Sequence, residues 1–434
     1  MPDPSGLLQA LRGRTAKIVV IGQGYVGLPL ALRSCLVGFP VIGYDTDDRR
    51  VASLSEGRSY VGDISDLEVQ SALMSGYRPS ADPDSLQDFD VAVVTVPTPL
   101  LDGKPDLGFI ESAARMLGRY ARRGCCIVLE STTYPGTTEE FVGPIVESVG
   151  GLRAGEDYFL GYSPERVDPG NRVWTIVNTP KLVSGLDADS LEVVDVFYAS
   201  IVDTTVRLET CAEAEMAKLL ENTFRHVNIA LINELAVFAH QLGVDIWRVV
   251  DAASTKPFGF MRFTPGPGVG GHCLPVDPSY LAWRIEQQTG APFKFVALAN
   301  EVNSSMPAYV VERSRQLLAL HGKELPGARV LLLGLSFKKG TSDCRESPSM
   351  HVAEMLLAEG AAVRAADPYV APLNLGDVDF ELVSFTVAEV AAADLVLLLV
   401  DHPEFVPGLI ANHARLVLDT KGSLRGAPFT GEVL

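Results

Sequence analysis

What most constrains this chain is a pattern that it runs through twice: short apolar runs of strand length alternate with helix-length segments, first from Lys17 to about Glu209 and again after Pro326. Alternation of this kind is how a parallel sheet with crossover helices reads. In the first stretch the strand candidates are residues 17–21, 40–44, 91–96, 126–130 and 159–162. In the second they are 329–335, 362–366, 394–400 and 415–418, with a helix near 350–357. Between the two, residues 210–242 contain no Gly or Pro, and Met216, Leu220, Phe224, Val227, Leu231, Leu235 and Phe238 recur at three- and four-residue intervals. That spacing predicts one long amphipathic helix. It should end at Gly243 in a left-handed cap. A Gly/Pro-rich stretch over 257–278 and a further helical reading to about Leu320 follow.

Length and charge set the outer limits. A chain of 434 residues exceeds what one core usually serves. The expected division is 1–209, 210–322 and 323–434. The longest apolar runs, such as 91–96 and 395–400, are far short of a membrane span, and the N-terminus shows no signal-peptide pattern, so a soluble cytoplasmic protein is expected. Six scattered cysteines without a CxxC pair argue against disulfides and structural metal. A net charge of -18 offers no basic field to nucleic acid, so any phosphate site must be built locally.

One such site is written directly after the first strand. Gly22, Gly24 and Gly27 form GxGxxG at the start of a helix, where glycines let the backbone approach a pyrophosphate. Asp45 ends the next strand at the distance of the carboxylate that holds an adenosine ribose. This makes two Rossmann-like domains around a helical middle the expected α/β fold, with NAD as cofactor. The carboxylate disfavours the 2'-phosphate of NADP, and Arg49 and Arg50 are expected on the solvated side of the following helix. Tyr25 and Val26 within the turn, and Pro97, Thr98 and Thr132 after later strands, complete the candidate cofactor contacts.

The reactive candidate is Cys273, in a bare peptide with Gly266, Gly268, Gly270, Gly271 and His272 before it and Asp277 after it. The glycines expose N–H groups to an oxyanion, and the neighbouring imidazole can influence a thiolate. Cys35, Cys125 and Cys126 fall instead in helix or strand patterns and read as buried thiols. Lys218 and Asn222 lie four apart on one face of the long helix. They suit an oxyanion or a bridging water, against the plainer reading of a surface ion pair with Glu215 or Glu221. Glu165 follows a strand, where a carboxylate can activate water. The loop carrying Phe337, Lys338, Lys339 and Gly340, with Arg345 beyond it, is the basic segment suited to a diphosphate.

These segments together resemble the UDP-glucose/GDP-mannose dehydrogenases. The match runs in order through VIGQGYVGLP, TVPTP, LESTTYPGTT, SPERVDPG, EMAKLLENTFRHVNIALINE, GPGVGGHCLPVDP and GLSFKKGTSDCRESPS, and so covers nearly the whole chain. The resemblance implies Cys273 as the nucleophile of a thiohemiacetal and thioester, with Lys218, Asn222 and Asp277 as the proton-transfer and oxyanion group. It implies Glu165 in thioester hydrolysis and Thr132 in ordering water. Arg166, Phe263, Gly270 and Lys338 would join Glu165, Lys218 and Asn222 on the substrate, and Arg345 would reach the cofactor. It further implies a UDP-sugar substrate and a homodimer through the central helix. The segment Thr255 to Met261 and SPERVDPG look like the branch acting on UDP-N-acetylglucosamine, with the galactosamine and mannosamine analogues close, while Arg262 departs from the smaller residue expected there. Two other classes stand beside this reading: a single-step hydroxyacid or phosphogluconate-type dehydrogenase, which needs no cysteine, and a non-catalytic NAD-binding regulator.

Overall fold

The computed structural model describes every residue except 1, 168–170, 172, 272–273, 373–374 and 376–378. Its contacts divide the chain into two units, Met1–Glu221 with Ser279–Ala291, and Asn222–Pro278 with Pro292–Leu434.

The first unit is built on ten strands in chain order: β1 (Ile18–Ile21), β2 (Val41–Tyr44), β3 (Tyr77–Ser80), β4 (Val91–Val94), β5 (Leu100–Leu101), β6 (Lys104–Pro105), β7 (Cys126–Leu129), β8 (Phe159–Tyr162), β9 (Lys181–Gly185) and β10 (Thr205–Arg207). β5 and β6 form a small antiparallel ribbon, and the other eight form one sheet in the order β10-β9-β8-β7-β4-β1-β2-β3. All its pairings are parallel except β8 with β9. The continuous apolar run of β1 is what a strand covered on both faces requires. Ile18 and Val20 enter one core, and Val19 and Ile21 enter the other. Chain order reverses between β1 and β4, which opens the crevice at their carboxyl ends where ligands settle in such sheets.

The second unit repeats the plan with β11 (Arg329–Leu333), β12 (Ala362–Ala366), β13 (Glu381–Leu382), β14 (Leu395–Leu398), β15 (Val417–Asp419) and β16 (Gly431–Val433). Their order is β13-β12-β11-β14-β15-β16, all parallel. Val330 and Leu332 face one core and Leu331 and Leu333 the other. The helix Lys294–Leu320 covers the first of these with Met306, Val310 and Leu317. The Trp247 indole N–H reaches the carbonyl of Leu434 at 2.8 Å and ties the helix Ile246–Ala253 to the end of the chain.

The long helix runs over Cys211–Gln241, and Gly243 follows it with φ 64°, as the cap requires. The helix buries Leu219, Ile232 and Ala236 but also turns a second apolar stripe outward, unlike a surface helix. Met216, Leu220, Phe224, Leu231, Leu235 and Phe238 are exposed, whereas Glu215, Lys218, Thr223, His226 and Asn233 are buried. Among the described residues, no helix is long and apolar enough to cross a membrane.

Candidate active site

The glycine turn after β1 is shaped for a ligand. A Cβ on Gly27 would lie 1.9 Å from the carbonyl oxygen of Gly22, so only glycine permits the helix Gly27–Leu36 to start this close to the strand. Around Gly24, in contrast, a Cβ would meet nothing within 4 Å. The backbone there borders open space at a helix N-terminus, which fits a pyrophosphate. The Asp45 carboxylate is pinned by the N–H groups of Gln23 at 2.8 Å and Asp47 at 2.9 Å. Arg49 is solvated beside Asp47, but Arg50 turns back, its Nη1 3.4 Å from Asp45 Oδ2. Tyr25 is exposed and Val26 half-buried. Pro97 and Thr98 lie in the loop after β4, and the preceding Thr95 hydroxyl is spent on the carbonyls of Ile21 and Gly22. These residues fit NAD.

Deeper in the same unit the structure joins Glu165 to Lys218. Lys218 Nζ lies 3.7 Å from Glu165 Oε2, with the side chains 7% and 12% exposed. Lys218 therefore makes neither of the helix-surface pairs open to it from sequence. Glu221 takes Arg166 Nη2 at 2.7 Å, and Glu215 accepts from the N–H of Gly136 at 2.6 Å and both the N–H and hydroxyl of Thr138 at 2.9 and 2.7 Å. Burial pushes the Glu165 pKa up, and the charges of Lys218 and Lys181 pull against it. Burial also raises Glu215, to about 7, against its hydrogen bonds from Thr138 and Gly136.

Behind Glu165 is a cluster that sequence reasoning missed. Lys181 donates to Glu130 and to the Pro164 carbonyl at 3.0 Å, and the Tyr198 hydroxyl donates to Glu130 at 2.8 Å. The signal available was a charged residue just after one buried strand, Glu130 after β7, and one opening another, Lys181 in β9. Val26, Glu130, Glu165, Arg166 and Lys181 share one small recess. Thr132 is half-buried in the loop after β7, while the neighbouring Thr133 hydroxyl is fully buried with no hydrogen-bond partner among the described residues.

In the second unit the Asn222 amide donates to Asp277, which is buried at the start of the helix Asp277–Thr289. His272 and Cys273 lie outside the described residues. The peptide leading to them is fixed on both sides. Asn233 Oδ1 accepts from Gly266 N–H at 3.0 Å, and a Cβ on Gly270 would stand 2.5 Å from the Glu346 carbonyl oxygen. Gly271, at φ 89°, rests on the Phe337 ring. The described stretch 268–271 thus packs against Phe337, Glu346 and Pro348. Lys338 lines a cleft of about 200 Å³ with Gly268, Ser336, Lys339, Asp401 and Lys421. Lys421 was not singled out from sequence; burial lowers its pKa, against the pull of Asp401 and Asp419. Arg345 is exposed and held by Asp343 at 2.7 Å, and Phe263 packs edge-on against Phe224 at 5.9 Å between ring centres.

Comparison with known proteins agrees with this layout. Three models of the UDP-glucose/GDP-mannose dehydrogenase family match in sequence: the NAD binding domain at residues 16–202, the central domain at 212–305 and the UDP binding domain at 331–426. The chain is 36% identical to a UDP-N-acetyl-D-glucosamine 6-dehydrogenase of Pseudomonas aeruginosa, over 90% of this chain and 91% of that one. It is 35% identical to a UDP-N-acetyl-D-mannosamine dehydrogenase of Pyrococcus horikoshii, over 90% of each. A solved structure of the UDP-D-ManNAc dehydrogenase from Pyrococcus horikoshii superposes with a TM-score of 0.87 at 32% identity, covering 96% of this chain and 98% of that one. With a glycine turn and carboxylate fit for NAD in one sheet and a lysine-lined cleft in the other, the chain belongs to the UDP-glucose/GDP-mannose dehydrogenase family and is an NAD-dependent nucleotide-sugar dehydrogenase.

Proposed function

We propose that this enzyme oxidises the C6 hydroxyl of a UDP-N-acetylhexosamine, UDP-N-acetylglucosamine first among them, in two steps to the uronic acid. The observation that carries the reading is the buried pair of Lys218 and Glu165. Burying an ammonium and a carboxylate is costly, sheet packing has no need of it, and such pairs concentrate where protons move.

NAD held at the first sheet would supply the hydride acceptor, one molecule for each oxidation, with a fresh NAD replacing the first NADH before the second. Lys218 and Asn222, the latter oriented by Asp277, hold the substrate oxygen and stabilise the alkoxide that forms as its proton passes to a water in the site. The Cys273 thiolate adds to the C6 aldehyde, which keeps that reactive species bound and creates a carbon able to give up a second hydride. Water then opens the resulting thioester, with Glu165 taking its proton and Thr132 ordering it. Lys338 and Lys421 neutralise the diphosphate. The glucosamine preference rests on the segment from Thr255 to Met261 and on the Pseudomonas relative; the Pyrococcus relative keeps the mannosamine epimer as the second reading. The exposed apolar stripe of the long helix supports a homodimer. Buried free thiols at the five described cysteines suit a reducing cytoplasm.

The test is a panel of UDP-glucose, UDP-N-acetylglucosamine and its C2 and C4 epimers, each with NAD and with NADP. Two NADH per sugar and the highest kcat/KM for UDP-N-acetylglucosamine are expected. One NADH per sugar would reduce the chain to a simple alcohol dehydrogenase.

A further inference from the structure

The two sheets carry matching carboxylates at matching points. After β2, Asp45 accepts from Gln23 N–H on Oδ2 at 2.8 Å and from Asp47 N–H on Oδ1 at 2.9 Å. After β12, Asp367 accepts from Leu335 N–H on Oδ2 at 2.8 Å and from Tyr369 N–H on Oδ1 at 2.9 Å. The turns that bring these amides round begin at Gly22 and Gly334, with φ 92° and 94°. The frame that presents a carboxylate to a ribose in the first sheet is therefore repeated in the second.

What differs is the occupant. In the second sheet His402, only 2% exposed, puts Nε2 3.1 Å from Asp367 Oδ2 and 3.3 Å from Ser336 Oγ. Its ring sits against Tyr369 and Phe405, at 5.0 and 5.5 Å between centres. Nδ1 accepts from the main-chain N–H of Gly340 at 3.2 Å. A main-chain amide only donates, so Nδ1 carries no proton and the Nε2–H faces Asp367, as a ribose hydroxyl would face Asp45 in the other sheet. Ser336 and Thr341 both donate to the Lys338 carbonyl at 2.9 Å, which closes residues 336–341 into a tight loop. His402 grips this loop at both ends, through Ser336 and Gly340. The side chains of Lys338 and Lys339 line the adjoining cleft.

We propose that His402 is a built-in occupant of the second sheet's nucleoside position. From that slot, by holding Gly340, it acts as the positioning residue for the lysine loop that receives the diphosphate. The proposal rests on the reading of this domain as the site for the UDP moiety.

The experiment uses the full-length chain, with UDP and NADH as separate calorimetric probes, and the variants His402→Ala, His402→Asn and His402→Gln. Asparagine puts a carbonyl oxygen near the place of Nδ1 and can still accept from Gly340; glutamine puts an amide donor near the place of Nε2 and leaves Gly340 without an acceptor. Loss of the Gly340 bond should weaken UDP about tenfold in the Ala and Gln variants, while Asn recovers most of it. NADH affinity and kcat should stay near wild type as KM for the UDP-sugar rises. UDP affinity within about twofold of wild type in a folded Ala variant overturns the proposal, as does an equal loss of NADH affinity. If Ala fails to fold, Asn binding UDP no better than Gln overturns it. No UDP binding by the wild-type chain would instead sink the nucleotide reading of the domain, and this proposal with it.

Discussion

At Glu165, burial makes the carboxyl reluctant to charge while Lys218 at 3.7 Å makes the charge tolerable. A carboxylate held in that balance is a stronger base than one in water, which is what opening a thioester asks of it. Glu165→Gln should lower kcat by about 10²–10⁴-fold. Because both hydride transfers precede hydrolysis, stopped-flow absorbance should show a burst of two NADH per site before the slow phase; an unchanged steady-state rate would remove Glu165 from the mechanism. Glu215 gives a second prediction, for stability. Its pKa of about 7 in the folded chain lies above the ordinary carboxyl value. The folded chain thus keeps a proton that the unfolded chain has given up, so stability present in acid is lost as pH rises from the ordinary carboxyl range to about 7. Melting temperatures taken from about pH 4.5 to 7 should fall more steeply for wild type than for Glu215→Gln, which cannot titrate. Parallel curves would place the titration elsewhere.

At the scale of elements, an aspartate in front of a central strand staples each sheet. Asp90 accepts from Lys17 N–H at 2.7 Å, and Asp394 accepts from Arg329 N–H at 3.0 Å. Asp394 also meets Lys323 at 2.5 Å and the Arg329 and Arg415 guanidinium groups at 2.9 and 3.5 Å. The Arg329 hydrogen bond leads these in holding its carboxyl far below the usual range, against burial. The stability involved is present above the ordinary carboxyl pKa and lost in acid. The three cations are about half exposed, so screening limits the effect: Asp394→Asn should cost about 1–2 kcal/mol in urea unfolding at neutral pH. A change near zero would leave the staple decorative. Sequence made most of the inner strands legible because a strand covered on both faces must be apolar throughout, as β1 and β14 are. The edges were not legible. β3 reads Tyr77, Arg78, Pro79, Ser80, β13 has two residues and β10 three, and an edge strand is free to be short and polar. Lys218 illustrates the other gap. Its spacing from Asn222 was readable, but its partner Glu165 comes from a distant loop, and periodicity cannot say which face of a helix is turned inward.

For the whole molecule, the outward apolar stripe of the long helix is the feature that asks for a partner. Six large apolar side chains, Met216, Leu220, Phe224, Leu231, Leu235 and Phe238, stand in solvent along one side of Cys211–Gln241, with Leu242 just beyond. A continuous apolar face of that length on a single chain marks a surface that another surface covers. A second copy offers the same helix, and an isologous pairing about a two-fold axis covers both stripes at once without leaving either open. The inward side of the helix is already committed: Glu215 to Gly136 and Thr138, Lys218 to Glu165, His226 to Asn300 and Asn233 to Gly266, beside the buried Leu219, Ile232 and Ala236. Light scattering should therefore give the wild-type chain twice the mass of one copy. Replacing Leu231 and Leu235 together by Glu puts four charges on the shared axis of a dimer. That variant should run as a monomer with its helical circular dichroism intact, since neither side chain contributes to a core within its own chain. A wild-type chain with the mass of one copy, or a double variant that still pairs, would mean that this stripe is covered by something else.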